Sequence, residues 1–184
     1  PYGWEKDTVN IGTLELPKDA AKDGVKWGTR RVLPLVETRV GFTLEQMELD
    51  SISRGSKAPD LDAVTEAARK IALFEENAIY NGLKGSGSDS LIGASKHPKV
   101  ALGKDVDALE ASVAEALEAL QLAGINGPYS LVLGTKPYQA LARGRLGGGY
   151  PLMQAVRETI RGDVLWSPAL SGGVLLSQRG GDFE

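Results

Sequence analysis

The spacing of apolar and polar positions changes period along the chain, and each change marks an element. TVNIGTLEL, Thr8–Leu16, alternates Val9, Ile11 and, less regularly, Leu14 with polar residues. That is the period-two pattern of a half-buried strand. A polar turn region, PKDAAKDG, follows over residues 17–24. RVLPLVETRVGFT, Arg31–Thr43, carries the clearest strand signal in the chain. Side chains alternate faces along a strand. Val32, Pro34, Val36, Thr38, Val40 and Phe42 therefore share one face, and Leu33, Leu35, Glu37, Arg39 and Gly41 the other. Thirteen extended residues would reach about 40 Å. Pro34 has no N–H to give a ladder, which restricts the strand to an edge or an arm. On pattern alone, an ordinary edge strand and an arm reaching a neighbouring molecule stand level.

The period then turns helical. Over Asp60–Gly82, Val64, Ala68, Ile71, Ala78 and Ile79 recur at helical spacing, opposite Glu66, Arg69, Lys70 and Glu76. Asp60 or Asp62 is the expected N-cap, and Gly82 the stop. KGSGSDSLIGASKHPKVALG, residues 84–103, is rich in Gly and Ser and is the best internal boundary. Beyond it helices and strands alternate. Leu109, Val113, Leu117 and Leu120 make the stripe of a helix over Asp107–Ala123, with Asp107 and Glu110 placed like a capping box. YSLVLG, Tyr129–Gly134, reads as a short buried strand. Thr135 and Pro137 open a helix, with Thr135 expected to cap it. A further helix, Pro151–Arg161, should close at Gly162. DVLWS and GVLLSQ read as two more strands. Between the last two helices lies RGRLGGGY, Arg143–Tyr150, a basic glycine loop in a region otherwise made of regular elements.

Composition narrows the chemistry. The 184 residues carry a net charge of −3, with 42% apolar and 24% charged residues, which is ordinary for a globular domain. No basic field suggests nucleic acid or an anionic membrane. The absence of cysteine excludes disulfides, thiol catalysis and thiolate metal sites, and fits a reducing compartment. No apolar run nears the ~20 residues of a membrane span. The single histidine, His97, falls in the Gly/Ser-rich connection, away from any G-x-S-x-G elbow, so a serine–histidine–acid triad has no base. LVLGTKPY lacks the phosphate-loop spacing, and the glycine loop follows a helix instead of a strand, so it misses the dinucleotide fingerprint. With one histidine and no cysteine, metal ligands are scarce, and none is assigned.

Several longer stretches carry a resemblance: PYGWE at 1–5, VKWGTRRVLPLVETRVGFTL at 25–44, MELDSISRG at 47–55, DLDAVTEAARKIALFEENAIYNG at 60–82, GINGPYSLVLG at 124–134, GGYPL at 148–152 and SQRGGDFE at 177–184. Together, in this order and spacing, they resemble the encapsulins. These are shell proteins of bacterial and archaeal nanocompartments that share the HK97-like fold of tailed-phage major capsid proteins. The resemblance covers essentially the whole chain. It implies an α+β fold with an extended E-loop hairpin and arm over residues 1–43. A P-domain segment with its spine helix would follow over 44–105, and an α/β A-domain over 106–184. Family members continue at both ends, with a helical arm before PYGWE and strands after GGDFE, so the chain is expected to be a piece of a longer protein.

The function implied is a non-enzymatic subunit that self-assembles into an icosahedral, cytoplasmic shell. The shell would enclose a ferritin-like protein or a dye-decolorising peroxidase, recruited through a targeting peptide, and its pores would pass small solutes. No membrane or nucleic acid is involved. The competing expectation is a phage or prophage capsid protein that packages DNA. By the same resemblance, Val32, Pro34, Val36, Val40 and Phe42 of the E-loop meet a neighbouring subunit. Arg143, Gly144, Arg145, Leu146, Gly147, Gly148, Gly149 and Tyr150 ring the five-fold pore. Their arginines either face the axis or pair with an acid such as Glu158. No cofactor is required, but some family members stack a flavin on a tryptophan matching Trp27. Simple packing of that indole is the other reading.

Overall fold

A computed structural model describes residues 5–18 and 21–181. The ends of the PYGWE and GGDFE matches, residues 1–4 and 182–184, lie outside the described residues. Two compact units divide at Ser90/Leu91, inside the Gly/Ser-rich run. The segment 91–105, which the resemblance groups with the P-domain, belongs by its contacts to the second unit.

The first unit opens with a ribbon. Strand β1 (Thr8–Glu15) pairs antiparallel with β4 (Thr29–Pro34), and between them β2 (Ala21–Lys22) and β3 (Val25–Lys26) form a minimal hairpin. Asp23 and Gly24 make its turn, with φ of 52° and 80°. An Asp-Gly pair suits a two-residue turn whose central residues both need positive φ. The register of β1 against β4 shifts between Asn10 and Leu14, where the Asn10 side chain accepts from the Gly12 amide at 2.8 Å.

The long strand expected over Arg31–Thr43 is a correction. It ends at Pro34, and residues 35–45 run without a ladder. Its partner β1 begins at Thr8, opposite Pro34, and one further bond, from the Leu35 amide to Asp7 O at 2.7 Å, follows the ladder among the described residues. Val36, Val40 and Phe42 therefore follow the strand and do not extend it.

Helix α1 (Gln46–Ser53) was not expected from the sequence. Helix α2 (Asp62–Asn81) was, and Gly82 stops it with φ 89°. Its N-cap is Leu61; the Asp60 carboxylate accepts from the Asp62 amide just outside the helix. The inward position is Ala67, whereas Ala68 and Ile79, expected on the apolar face, are exposed.

The second unit begins with the short α3 (Leu91–Ala94) and has a three-stranded sheet ordered β6-β5-β7. The central β5 (Tyr129–Leu133) is buried along its whole length. It pairs parallel with β6 (Val164–Trp166) and antiparallel with β7 (Gly173–Ser177). Such a strand reads as a continuous apolar run because neither face meets water. Helices α4 (Val106–Leu122), α5 (Thr135–Arg143) and α6 (Leu152–Ile160) supply the rest of the core. Leu109, Val113 and Leu117 of α4 pack with Leu141 of α5, Leu152, Val156 and Ile160 of α6, and Leu131 and Leu133 of β5.

Three end signals shift. Asp105 caps α4 by accepting from the Ala108 amide at 2.8 Å, so Asp107 and Glu110 are not the capping pair. Gly134 is the N-cap of α5, and Thr135 instead accepts the indole N–H of Trp166 at 3.1 Å. Arg161, at φ 53°, ends α6 in the left-handed region. Gly162 follows it for another reason: a Cβ there would lie 1.9 Å from Tyr129 O.

Candidate functional site

The basic glycine loop folds as a pinched hairpin between α5 and α6. Gly144 N–H bonds to Ala140 O and closes α5. The chain then runs out and returns. Leu146 N–H bonds to Tyr150 O at 2.9 Å, Leu152 N–H bonds to Gly144 O at 3.1 Å, and Arg145 bridges Pro151. A single 3-10 turn, Gly147–Gly149, forms the tip. Gly148 and Gly149 have φ of 81° and 84°, which L side chains rarely adopt. Gly144 serves a different need, since a Cβ there would lie 2.9 Å from Leu152 Cδ2. Leu152 is fully buried, so this close approach anchors the loop to the core.

Arg143 closes the last turn of α5, where a cation complements the helix dipole. Arg145 donates to Gly144 O at 3.1 Å. Both guanidinium groups are exposed, and neither pairs with an acid among the described residues. The pairing with Glu158 that was the alternative expectation is absent there. Tyr150 Oη donates to Glu158 Oε1 at 2.8 Å, and Gln154 Nε2 donates to the same oxygen at 3.0 Å.

Sequence reasoning missed this triad, although Gln154 and Glu158 stand four apart on one helix face. The two hydrogen bonds, with Gln154's the larger influence, hold Glu158 below its ordinary carboxylate value of 4.5. The Glu158 bond, with some desolvation, pushes the Tyr150 phenol above its ordinary 10.0. Signs follow from linkage. A depressed carboxylate contributes above 4.5 and loses its contribution as pH falls through the lower folded value. A raised phenol contributes below 10.0 and loses it as pH rises through the higher folded value. The triad should therefore hold across neutral pH and open in both strong acid and strong alkali. The Gln154 side-chain amide resonances, followed against pH, check this: they should stay constant between those limits and move outside them.

The other expected residues lie in the first unit. Val32, Val36 and Phe42 are 47%, 48% and 53% exposed, Pro34 is exposed and Val40 half-buried. Trp27 is half exposed between β3 and β4, and its indole N–H has no partner among the described residues. The exposed indole is a flat face of the kind on which a flavin ring stacks.

A family model described as "Encapsulating protein for peroxidase" matches residues 1–184. A type 1 encapsulin shell protein from Rhodospirillum rubrum is 40% identical over 100% of this chain and 68% of its own length. The chain belongs to the encapsulin shell-protein family. A second encapsulin, from Mycobacterium tuberculosis, is 36% identical over all of this chain and 69% of its own. In Kuenenia stuttgartiensis a diheme-cytochrome–encapsulin shell fusion protein is 27% identical over 96% of this chain and 51% of its own. Among solved structures, a virus-like particle from Pyrococcus furiosus aligns with TM-score 0.61 at 17% identity, over 95% of this chain and 68% of that one. The encapsulin fold of this chain is thus the HK97-like capsid fold.

Proposed function

We propose that this chain is a subunit of a self-assembling icosahedral shell that encloses a protein cargo, and that its Arg143–Tyr150 loop lines an opening in that shell. The match of an encapsulin family model to the whole chain carries the reading. The subunit's part is structural. Catalysis belongs to the cargo, a ferritin-like protein or a peroxidase, docked through a targeting peptide. The lack of cysteine suits assembly in the reducing cytoplasm. A phage capsid of the same fold would enclose DNA, whereas each of the three relatives named above by sequence is an encapsulin shell protein or a fusion containing one.

The loop's features support the second half of the proposal. Its tip glycines have open space around them, which lets symmetry copies approach closely. Its two arginines are exposed without acidic partners. Rings of charge set which ions pass a constriction, so this opening disfavours cations. In shells loaded with a ferritin-like cargo, Arg143→Glu with Arg145→Glu should speed ferrous-ion entry roughly three- to ten-fold. Intact shells with an unchanged rate would show that the loop does not gate by charge.

A further inference from the structure

We propose that Tyr150 and Glu158 form a clasp that positions the arginine loop and keeps Glu158 out of an ion pair with its guanidinium groups. The proposal rests on the reading of the loop as the lining of an opening. The loop's stem is fastened by backbone bonds at Leu146 and Leu152, but a Cβ at any of its tip residues, Gly147, Gly148 or Gly149, would meet nothing within 4 Å. Among the described residues, the returning segment makes a side-chain hydrogen bond to α6 from the Tyr150 hydroxyl to Glu158 Oε1. Gln154, one turn earlier on α6, donates to that same oxygen and holds the carboxylate in place.

The arrangement also settles where the carboxylate goes. An arginine fork binds a carboxylate best through both oxygens. Tyr150 and Gln154 already occupy Oε1, so a fork is denied its two-pronged partner. Glu158, the nearest acid in sequence to the tip, is held by Tyr150 and Gln154 and makes no ion pair with Arg143 or Arg145 among the described residues. Both Tyr150 and Glu158 are positioning residues, acting on a solute only through Arg143 and Arg145.

Hydrogen exchange at the Leu146 and Leu152 amides in assembled shells tests the clasp. Tyr150→Phe, which removes one hydroxyl, should speed exchange at both amides roughly three- to ten-fold. Glu158→Ala should do the same. Glu158→Gln should restore slow exchange, because its amide oxygen still accepts the phenol. Unchanged exchange in both the Phe and Ala variants would overturn the clasp, as would a Gln variant exchanging as fast as the Ala variant. Ferrous-ion entry measured in the Tyr150→Phe shells, which carry no change of formal charge, separates the two claims. Faster exchange with unaltered entry would uphold the clasp and defeat the reading of the loop as the lining. Faster exchange with faster entry supports both.

Discussion

Shells are not expected to form from a Val36→Asp subunit. Val36 follows the last residue of the β1/β4 ribbon by two, and with Val32 and Phe42 it leaves apolar surface about half exposed in the single subunit. A two-stranded ribbon alone is marginal in water, so this surface is the natural one for a neighbour to cover. Buried apolar area contributes about 25 cal/mol per Å². An aspartate carried into such a contact without a partner costs several kcal/mol. In a closed symmetric assembly the same contact recurs at every subunit, so the cost recurs with it. Val36 is exposed in the subunit, so the fold itself should survive. Size-exclusion chromatography should show soluble free subunits and no particles. Particles in ordinary yield would remove residues 32–42 from the interface.

Leu133→Ala is expected to melt the second unit well before the first. Leu133 has no exposed surface at the end of β5, where it faces Gly173 of β7 across the ladder. Gly173 leaves room for it, because a Cβ there would lie 2.6 Å from Leu133 Cδ2. Truncation would therefore open a cavity that neither Gly173 nor the neighbouring Leu141, Leu152 and Ile160 can fill without moving the sheet. Core leucine truncations of this kind cost about 2–5 kcal/mol. For a unit of this size that lowers Tm on the order of 10 °C or more. Calorimetry on dissociated subunits checks it, since assembly would mask the loss through mass action. A change of a degree or two would mean that the sheet closes over the gap.

The second unit was more legible in the sequence than the first, for a physical reason. YSLVL is buried on both faces, and the leucine stripe of α4 packs on its own unit, so the local pattern records the contacts that the chain makes with itself. The ribbon and α1 face outward in the subunit. Met47, Leu49 and Ile52 of α1 are all exposed, so no buried stripe marks the helix. The run after Pro34 alternates as a strand does, but alternation says nothing about whether a partner exists, and the pairing of β1 with β4 ends at Pro34. In α2 the alanines at 67 and 68 differ little in pattern, so the inward face was placed one residue off. At the candidate site the charges of Arg143 and Arg145 could be read directly. The Tyr150–Glu158 contact could not, because it depends on the return path of the hairpin loop. The stop at Arg161 was missed because glycine is the usual left-handed residue, and Gly162 stood beside it for a steric role.

The central claim is that these subunits close into a shell with the glycine–arginine loop at an opening. A cryo-electron microscopy reconstruction of particles purified from the cells that make the protein tests it most directly. The account predicts closed, icosahedral particles containing protein cargo, with residues 143–150 converging on a symmetry axis and residues 32–42 covered by a neighbouring subunit. Particles filled with DNA, or closed particles whose 143–150 loops stand away from every axis, would contradict it.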